Sequence, residues 1–303
     1  MLDRLATLDL QFQDREHIIA AYLYPHADGV ALIETGPGST VPTLQARLAA
    51  RGLTPADISE VFLTHIHLDH AGAAGHFARH GATIYAHHVG IPHLSSPDRL
   101  LASARRIYGD DMDALWGEMH PVPDDQLVAL HDGDTVPLGE EDLVALDTPG
   151  HASHHMSYVL GDVCFTGDVG GVRMPEERHV ELPLAPPEID LVSWRESLSA
   201  LRAAADHQGL AHLAPTHFGL YDDIFAHLQR LEAAIEAADE WAAEHLPGWS
   251  SGEDALQDAV TAWMRGQASD HGVDDDAWEH YELSNPSWMA APGLQRYWET
   301  HTS

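Results

Sequence analysis

Short apolar runs separated by turn residues fill most of the first 220 positions of the chain. Thr7–Phe12, His17–Tyr24 and Val30–Glu34 read as strands, followed by the glycine-rich turn ETGPGS. Pro42–Arg51 reads as a helix ended by Gly52, and Glu60–Leu63 as a short apolar strand that runs into THIHLDHAGAAG. Gly72–His80 is expected to be helical and Ala82–Ala86 to be a strand. Strand, loop and helix thus alternate, which predicts an α/β fold. Pro97–Trp116 is expected as one helix inserted over the core. Leu127–Leu130, Asp142–Leu146, Ser157–Leu160 and Val163–Thr166 form a second group of strands, with HDGD and LGD as turns. Ile189–Ala205 reads as an amphipathic helix and Ala211–Ala214 as a strand. After Tyr221 the pattern turns helical: Asp222–Glu244, Glu253–Gly266, Asp274–Tyr281 and Pro292–Thr300. Two stacked sheets are expected within a domain spanning 1–220. Residues 221–303 are expected to add a helical extension serving as lid, packing or dimer element.

One segment carries more chemistry than packing needs. His65-Ile66-His67-Leu68-Asp69-His70 places four potential metal ligands within six residues, just beyond a strand and just before a helix. In an extended loop His65 and His67 point the same way, while Asp69 and His70 turn into the helix toward a second point. Imidazole and carboxylate suit catalytic zinc. Three further signals follow strand ends: Thr148-Pro149-Gly150-His151, Phe165-Thr166-Gly167-Asp168 and Pro215-Thr216-His217-Phe218-Gly219. Loops beyond strand ends are where α/β folds build their sites.

With HIHLDH, TPGH, TGD and THFG in this order, the chain resembles the metallo-β-lactamase superfamily, and within it the glyoxalase II-like branch. The resemblance covers Leu5 to Leu220. It implies an αββα metallo-β-lactamase sandwich with metals at one edge of the two sheets. It implies that His65, His67 and His151 hold one ion, that Asp69, His70 and His217 hold a second, and that Asp168 bridges both. Two divalent ions are expected, zinc foremost, with iron and manganese also suited to these ligands. A water bridging two such ions loses its proton near neutral pH and becomes the nucleophile, and Asp69 is the candidate to orient it and shuttle its proton.

Three positions depart from the family pattern. Glu34 stands where many relatives have the aspartate of a D-T-G turn, and is a candidate to support a metal-bound histidine. His154 and His155 follow His151 where a small pair is common, and are candidate substrate contacts or packing groups. Basic residues for a glutathione thioester are scarce after 220, where Arg230, Arg265 and Arg296 are the fixed cations. Arg173, close after Asp168, is a candidate to bind an anionic substrate, with an ion pair as the alternative.

Composition narrows the partners. The formal net charge is -33, and all 15 basic residues are arginine. Such a field repels nucleic acid phosphates, and it fits a salt-rich cytoplasm or a highly soluble surface. Cys164 is the only cysteine, which excludes an internal disulfide and a cysteine zinc knuckle; it reads as a small core residue. The interrupted, charged start MLDRLATLDLQFQDREH is expected not to be a signal peptide, and no apolar run is long enough to span a bilayer. A cytoplasmic enzyme acting on a small molecule, without nucleic acid or membrane partners, is expected. Six of the eight tryptophans lie after residue 240, which makes the tail a packed helical region or a homodimer surface.

The leading expectation is therefore a binuclear metal-dependent hydrolase of an ester, thioester or lactone. Alternatives are a phosphodiesterase of the same fold and a mononuclear-iron persulfide dioxygenase. A β-lactamase proper, an electron-transfer diiron protein and a metal-binding regulator fit less well, given Asp168, His67 and the complete ligand set respectively.

Overall fold

In the computed structural model, which describes residues 1–301, the chain forms two compact units. One comprises Met1–Asp147 and His154–Thr166, the other Thr148–Ser153 and Gly167–Ser303.

The first unit carries two sheets. Strands β1 (Ala6–Asp9), β2 (Ala20–His26), β3 (Gly29–Ile33), β4 (Glu60–Phe62), β5 (Thr83–His87) and β6 (Leu127–Leu130) lie side by side in chain order. The first three pair antiparallel; from β3 to β6 the pairing is parallel. Ala31, Leu32, Ile33, Val61 and Phe62 are all buried, as expected of parallel strands covered on both faces. The second sheet contains an antiparallel meander of β7 (Thr135–Leu138), β8 (Glu141–Asp147), β9 (Met156–Leu160) and β10 (Val163–Phe165). Helices α1 (Val41–Ala49), α2 (Leu68–Ala71), α3 (Ala74–Ala78), α4 (Ile91–Ser95), α5 (Asp98–Tyr108) and α6 (Met112–Trp116) complete the unit.

Aromatic residues join the two sheets. The Phe62 and Tyr158 rings meet edge-on at 5.6 Å, and Tyr22 packs on Phe165 at 5.2 Å. The buried Tyr158 hydroxyl donates to the Leu63 carbonyl at 2.7 Å, tying β9 to the chain just beyond β4. A second tie is the Met156 amide, which donates to the Thr64 carbonyl at 2.7 Å. These contacts fix where the loop after β4 begins.

The expected α/β class with two sheets and C-terminal helices is what the chain adopts, with corrections in detail. Leu127–Leu130 belongs to the first sheet, where β6 runs parallel to β5 with Tyr85 opposite Val128, and not to the second group of strands. No strand is expected over 135–138, yet β7 forms there. Its Pro137 is tolerated because β7 is an edge strand, and its burial alternates as a half-buried strand should. The single helix expected over Pro97–Trp116 breaks at Gly109, whose φ of +55° suits glycine. The helix expected over Gly72–His80 is α3, shortened to Ala74–Ala78, and a separate helical turn, α2, precedes it, so Asp69 and His70 lie in α2.

The second unit contains α7 (Leu191–Gln208), β11 (His212–Ala214), α8 (Ile224–His245), α9 (Glu253–Asp270), α10 (Asp275–Ser284) and α11 (Ser287–His301). Asp190 caps α7 by accepting from the Val192 and Ser193 amides, and Gly209 at φ +68° ends it. Tryptophans pack the later helices: Trp241 meets Trp263 at 5.7 Å, and the Arg265 guanidinium sits over Trp278. Among the described residues no helix is long and apolar enough to cross a membrane.

Replacing Tyr158 with Phe leaves the buried Leu63 carbonyl without that donor. Denaturant unfolding should report a loss of about 1–3 kcal/mol; an unchanged midpoint would show that the bond contributes nothing.

Candidate metal centre

In the first unit the loop after β4 leaves the parallel strands at their C-terminal end, where the backbone turns from strand to helix. His67 is still extended (φ -61°, ψ 155°) and precedes the first turn of α2. This change of conformation splits the motif into two pairs. His65 Nε2 lies 2.9 Å from His67 Nδ1, and His70 Nε2 lies 3.6 Å from an Asp69 oxygen. Two ligands of a four-coordinate ion with bonds of about 2.1 Å stand roughly 3.4 Å apart; the Asp69–His70 pair is spaced close to this, while His65 and His67 stand at hydrogen-bond distance.

Buried acceptors set the tautomers. Glu34 has no exposed surface, and its Oε1 lies 3.1 Å from His70 Nδ1. A carboxylate accepts, so Nδ1 carries the proton and Nε2 keeps its lone pair. The Thr64 hydroxyl makes a short bond to the same Glu34 oxygen and lies 3.1 Å from His65 Nδ1. The hydroxyl gives its proton to Glu34 and accepts from His65 Nδ1, so the lone pair of His65 lies on Nε2. The Thr35 amide and hydroxyl both donate to the His70 carbonyl, at 2.9 and 2.8 Å. The turn containing Glu34 therefore grips α2 through main chain and side chain together.

His154 and His155, expected as substrate contacts or packing groups, both lie against the motif. The His154 ring stands 6.1 Å from His65 and 5.7 Å from His67; His155 stands 5.1 Å from His65. Tyr108 was not singled out from the sequence, and only its place in the expected insertion pointed to it. Burial pushes its phenol well above the usual value, and the charge of Asp69 adds to this.

The second unit carries the other expected ligands. Asp168 is buried in a short helical turn, Gly167–Gly170. Its Oδ2 lies 3.3 Å from His151 Nε2 and its Oδ1 lies 3.6 Å from His217 Nε2. Each oxygen thus faces a different histidine. His151 Nδ1 lies 2.8 Å from the Pro183 carbonyl, which can only accept, so Nδ1 carries the proton and Nε2, the atom facing Asp168, keeps its lone pair. Helix α7 positions both loops. Trp194 Nε1 donates to the Val169 carbonyl, and the Ser197 hydroxyl donates to the Pro149 carbonyl. Gly150, at φ +138°, lets Trp194 approach so closely that a Cβ would sit 2.5 Å from the Trp194 Cα.

Arg173 is buried, and its guanidinium is engaged. It donates to Asp223 at 2.6 Å and to the Glu177 carbonyl at 2.8 Å, and lies over the Tyr221 ring at 4.2 Å. This is the ion-pair alternative, buried where a surface pair was expected. Its main chain does more: the Arg173 amide donates to the His217 carbonyl at 2.7 Å, and the Phe218 amide donates to the Arg173 carbonyl. Although burial opposes it, hydrogen bonds from Arg173 and Arg230 bring the Asp223 carboxyl down to about 2. Behind this pair, His227 Nε2 donates to the Gly170 carbonyl at 2.7 Å and bolts the turn that carries Asp168. Cys164 is fully buried, and burial pushes its thiol up to about 12, as fits a core residue.

A sequence profile of the Metallo-beta-lactamase superfamily matches residues 14–208. The chain belongs to this superfamily. It is 31% identical over 142 residues to a metallo-beta-lactamase fold-containing protein of Sulfurisphaera tokodaii, covering 46% of this chain and 53% of that protein. A hydroxyacylglutathione hydrolase of Shewanella baltica is 32% identical over 48% of this chain and 43% of its own. The N-acyl homoserine lactonase AttM of Agrobacterium fabrum is 30% identical over 38% and 40% respectively. The chain thus spans about half or less of the curated relatives it matches, and the glyoxalase II-like likeness is a distant one. A crystal structure of an archaeal metallo-beta-lactamase superfamily protein from Sulfolobus tokodaii superposes with a TM-score of 0.65 at 20% identity, covering 96% of this chain and 97% of that one. This superfamily includes metal-dependent hydrolases, and this member has His/Asp clusters that could hold metal.

His227 gives this region a pH signature. Burial, offset in part by the Gly170 carbonyl, lowers it to about 4, whereas the unfolded ring titrates near 6.5. The unfolded chain therefore binds the extra proton first. Stability should be full above about pH 6.5 and fall as pH drops toward 4, by up to about 1.4 kcal/mol per pH unit. His227→Gln should flatten that part of a pH series of unfolding midpoints; an unchanged slope would assign the loss to other groups.

Proposed function

We propose that the chain is a binuclear metal-dependent hydrolase that cleaves an ester, thioester or lactone bond in a small molecule. One observation carries the reading: the Asp168 carboxylate offers one oxygen to the side of His151 and the other to the side of His217. A carboxylate so placed suits a bridge between two ions. In this reading His65, His67 and His151 hold the first ion, and Asp69, His70 and His217 the second. The composition of the donor groups supports it: His65, His67 and His151; His65, His70 and Asp168; Asp69, His70 and His217. Nitrogen and carboxylate donors without thiolate suit zinc, iron and manganese.

Bound divalent ions supply an acidified water and polarise the bond to be cleaved. The chain's own residues do the rest. Glu34 and the Pro183 carbonyl hold His70 and His151 in the tautomer that presents Nε2. Asp69, half-exposed beside His70, has a second oxygen with which to take the proton of the attacking water and return it to the leaving group. The relatives that cleave a thioester and a lactone support the bond class. The net charge of -33 supports a small substrate over a nucleic acid.

Elemental analysis of protein purified without chelators or a metal-affinity tag tests the centre. About two zinc ions per chain, falling sharply in Asp168→Ala, is the expected result. About one iron per chain would move the reading to persulfide oxygenation, checked by oxygen uptake. Glu34→Gln should keep the fold but weaken metal retention about 10–100-fold in chelator competition, the usual size of an outer-partner effect; wild-type retention would remove Glu34 from the centre.

A further inference from the structure

The second unit contains a cavity of about 320 Å³ that none of the expected metal ligands lines. It lies among α8, α9 and the extended segment 179–184. Its walls are apolar, built from Leu182, Leu184, Ala234, Ala237, Trp263 and Met264. One end is polar, where His179, Glu181, Arg230 and His271 converge. The size is at the lower end of small-ligand pockets and corresponds to on the order of ten water-sized groups.

The polar end is built but incomplete. Glu181 is 5% exposed and His179 is 4% exposed. Glu181 Oε1 accepts from Asn285 Nδ2 at 2.8 Å. Glu181 Oε2 has no hydrogen-bond partner among the described residues, nor has His179 Nε2. The two stand 3.7 Å apart, beyond a direct bond. His179 Nδ1 meets His271 Nδ1 at 2.9 Å. Burial holds His271 below its ordinary value, so its ring carries one proton. When His271 donates to His179 Nδ1, His179 bears its own proton on Nε2, pointing toward Glu181. Buried polar atoms left in this way are costly.

We infer that this cavity binds a small neutral amphiphile, an aliphatic body with one hydroxyl group. A hydroxyl both donates and accepts. It donates to Glu181 Oε2 and accepts from His179 Nε2, which satisfies the two buried atoms with one group. A carboxylate head would bring a second negative charge to Glu181. Arg230 does not offset it, because its guanidinium is held by Asp223 at 2.8 Å. The aliphatic body fills the space between Leu182, Leu184, Ala234 and Met264, and Trp263 in the wall makes binding visible by fluorescence.

The test is titration of the full chain with 1-octanol, followed by Trp fluorescence and calorimetry, with octanoate as the charged counterpart at pH 7. The expected result is saturable 1-octanol binding at one site per chain, with octanoate at least tenfold weaker. Ala234→Trp fills the cavity and should abolish binding. Ala237→Leu, a milder filling change, should weaken it severalfold, and circular dichroism reports that each variant is folded. Absence of saturable 1-octanol binding, or unchanged binding in both folded variants, overturns the site. Octanoate binding as tight as 1-octanol overturns the assigned head group. Metal content is unaffected on either outcome, so this test is independent of the proposed hydrolase.

Discussion

A single buried carboxylate organises the histidine-rich HIHLDH segment of the first unit. Glu34 accepts from the Thr64 hydroxyl and from His70 Nδ1 through one oxygen, and Thr64 in turn holds His65. The end of β3, the loop after β4 and the first turn of α2 therefore meet at one charge. With no exposed surface at Glu34, water cannot replace these partners. The imidazoles are oriented before any ion arrives, which is how partners beyond the ligands tune a metal site.

The second unit solves the same problem without a second such carboxylate. Pro183 orients His151 through a main-chain carbonyl, and α7 holds the loops of His151 and Asp168 through Trp194 and Ser197. Arg173 and His227 brace His217 and the Asp168 turn from behind. Arginine suits this position: its planar fork reaches Asp223 and the Glu177 carbonyl while its face covers Tyr221.

The HIHLDH segment stood out in the sequence because its residues are contiguous and its chemistry exceeds any packing need, and the structure brings its side chains close to one another. The strand–loop–helix alternation was legible because hydrophobic period and turn residues agree along the first unit. What escaped is tertiary. Nothing local distinguishes β6 from the strands of the second sheet, since a four-residue apolar run does not state its partner. Pro137 hid β7, whose tolerance depends on its place at an edge. Tyr108 feels the charge of Asp69 although nearly forty residues separate them. Arg173 is near Asp168 in sequence, but its partner Asp223 is fifty residues away.

Glu34 adopts φ +66°, a left-handed backbone in which short polar side chains such as aspartate are the more comfortable occupants. The family's usual aspartate would ease that backbone, but its carboxylate would end about 1.5 Å, one carbon–carbon bond, short of Thr64 and His70. Main chain and side chain thus select for different residues at one position. With glutamate here, the reach of the carboxylate outranks the comfort of the turn. Reverting to the familial residue is then a change in two opposed directions, and homology alone is a poor guide to which amino acid this turn requires.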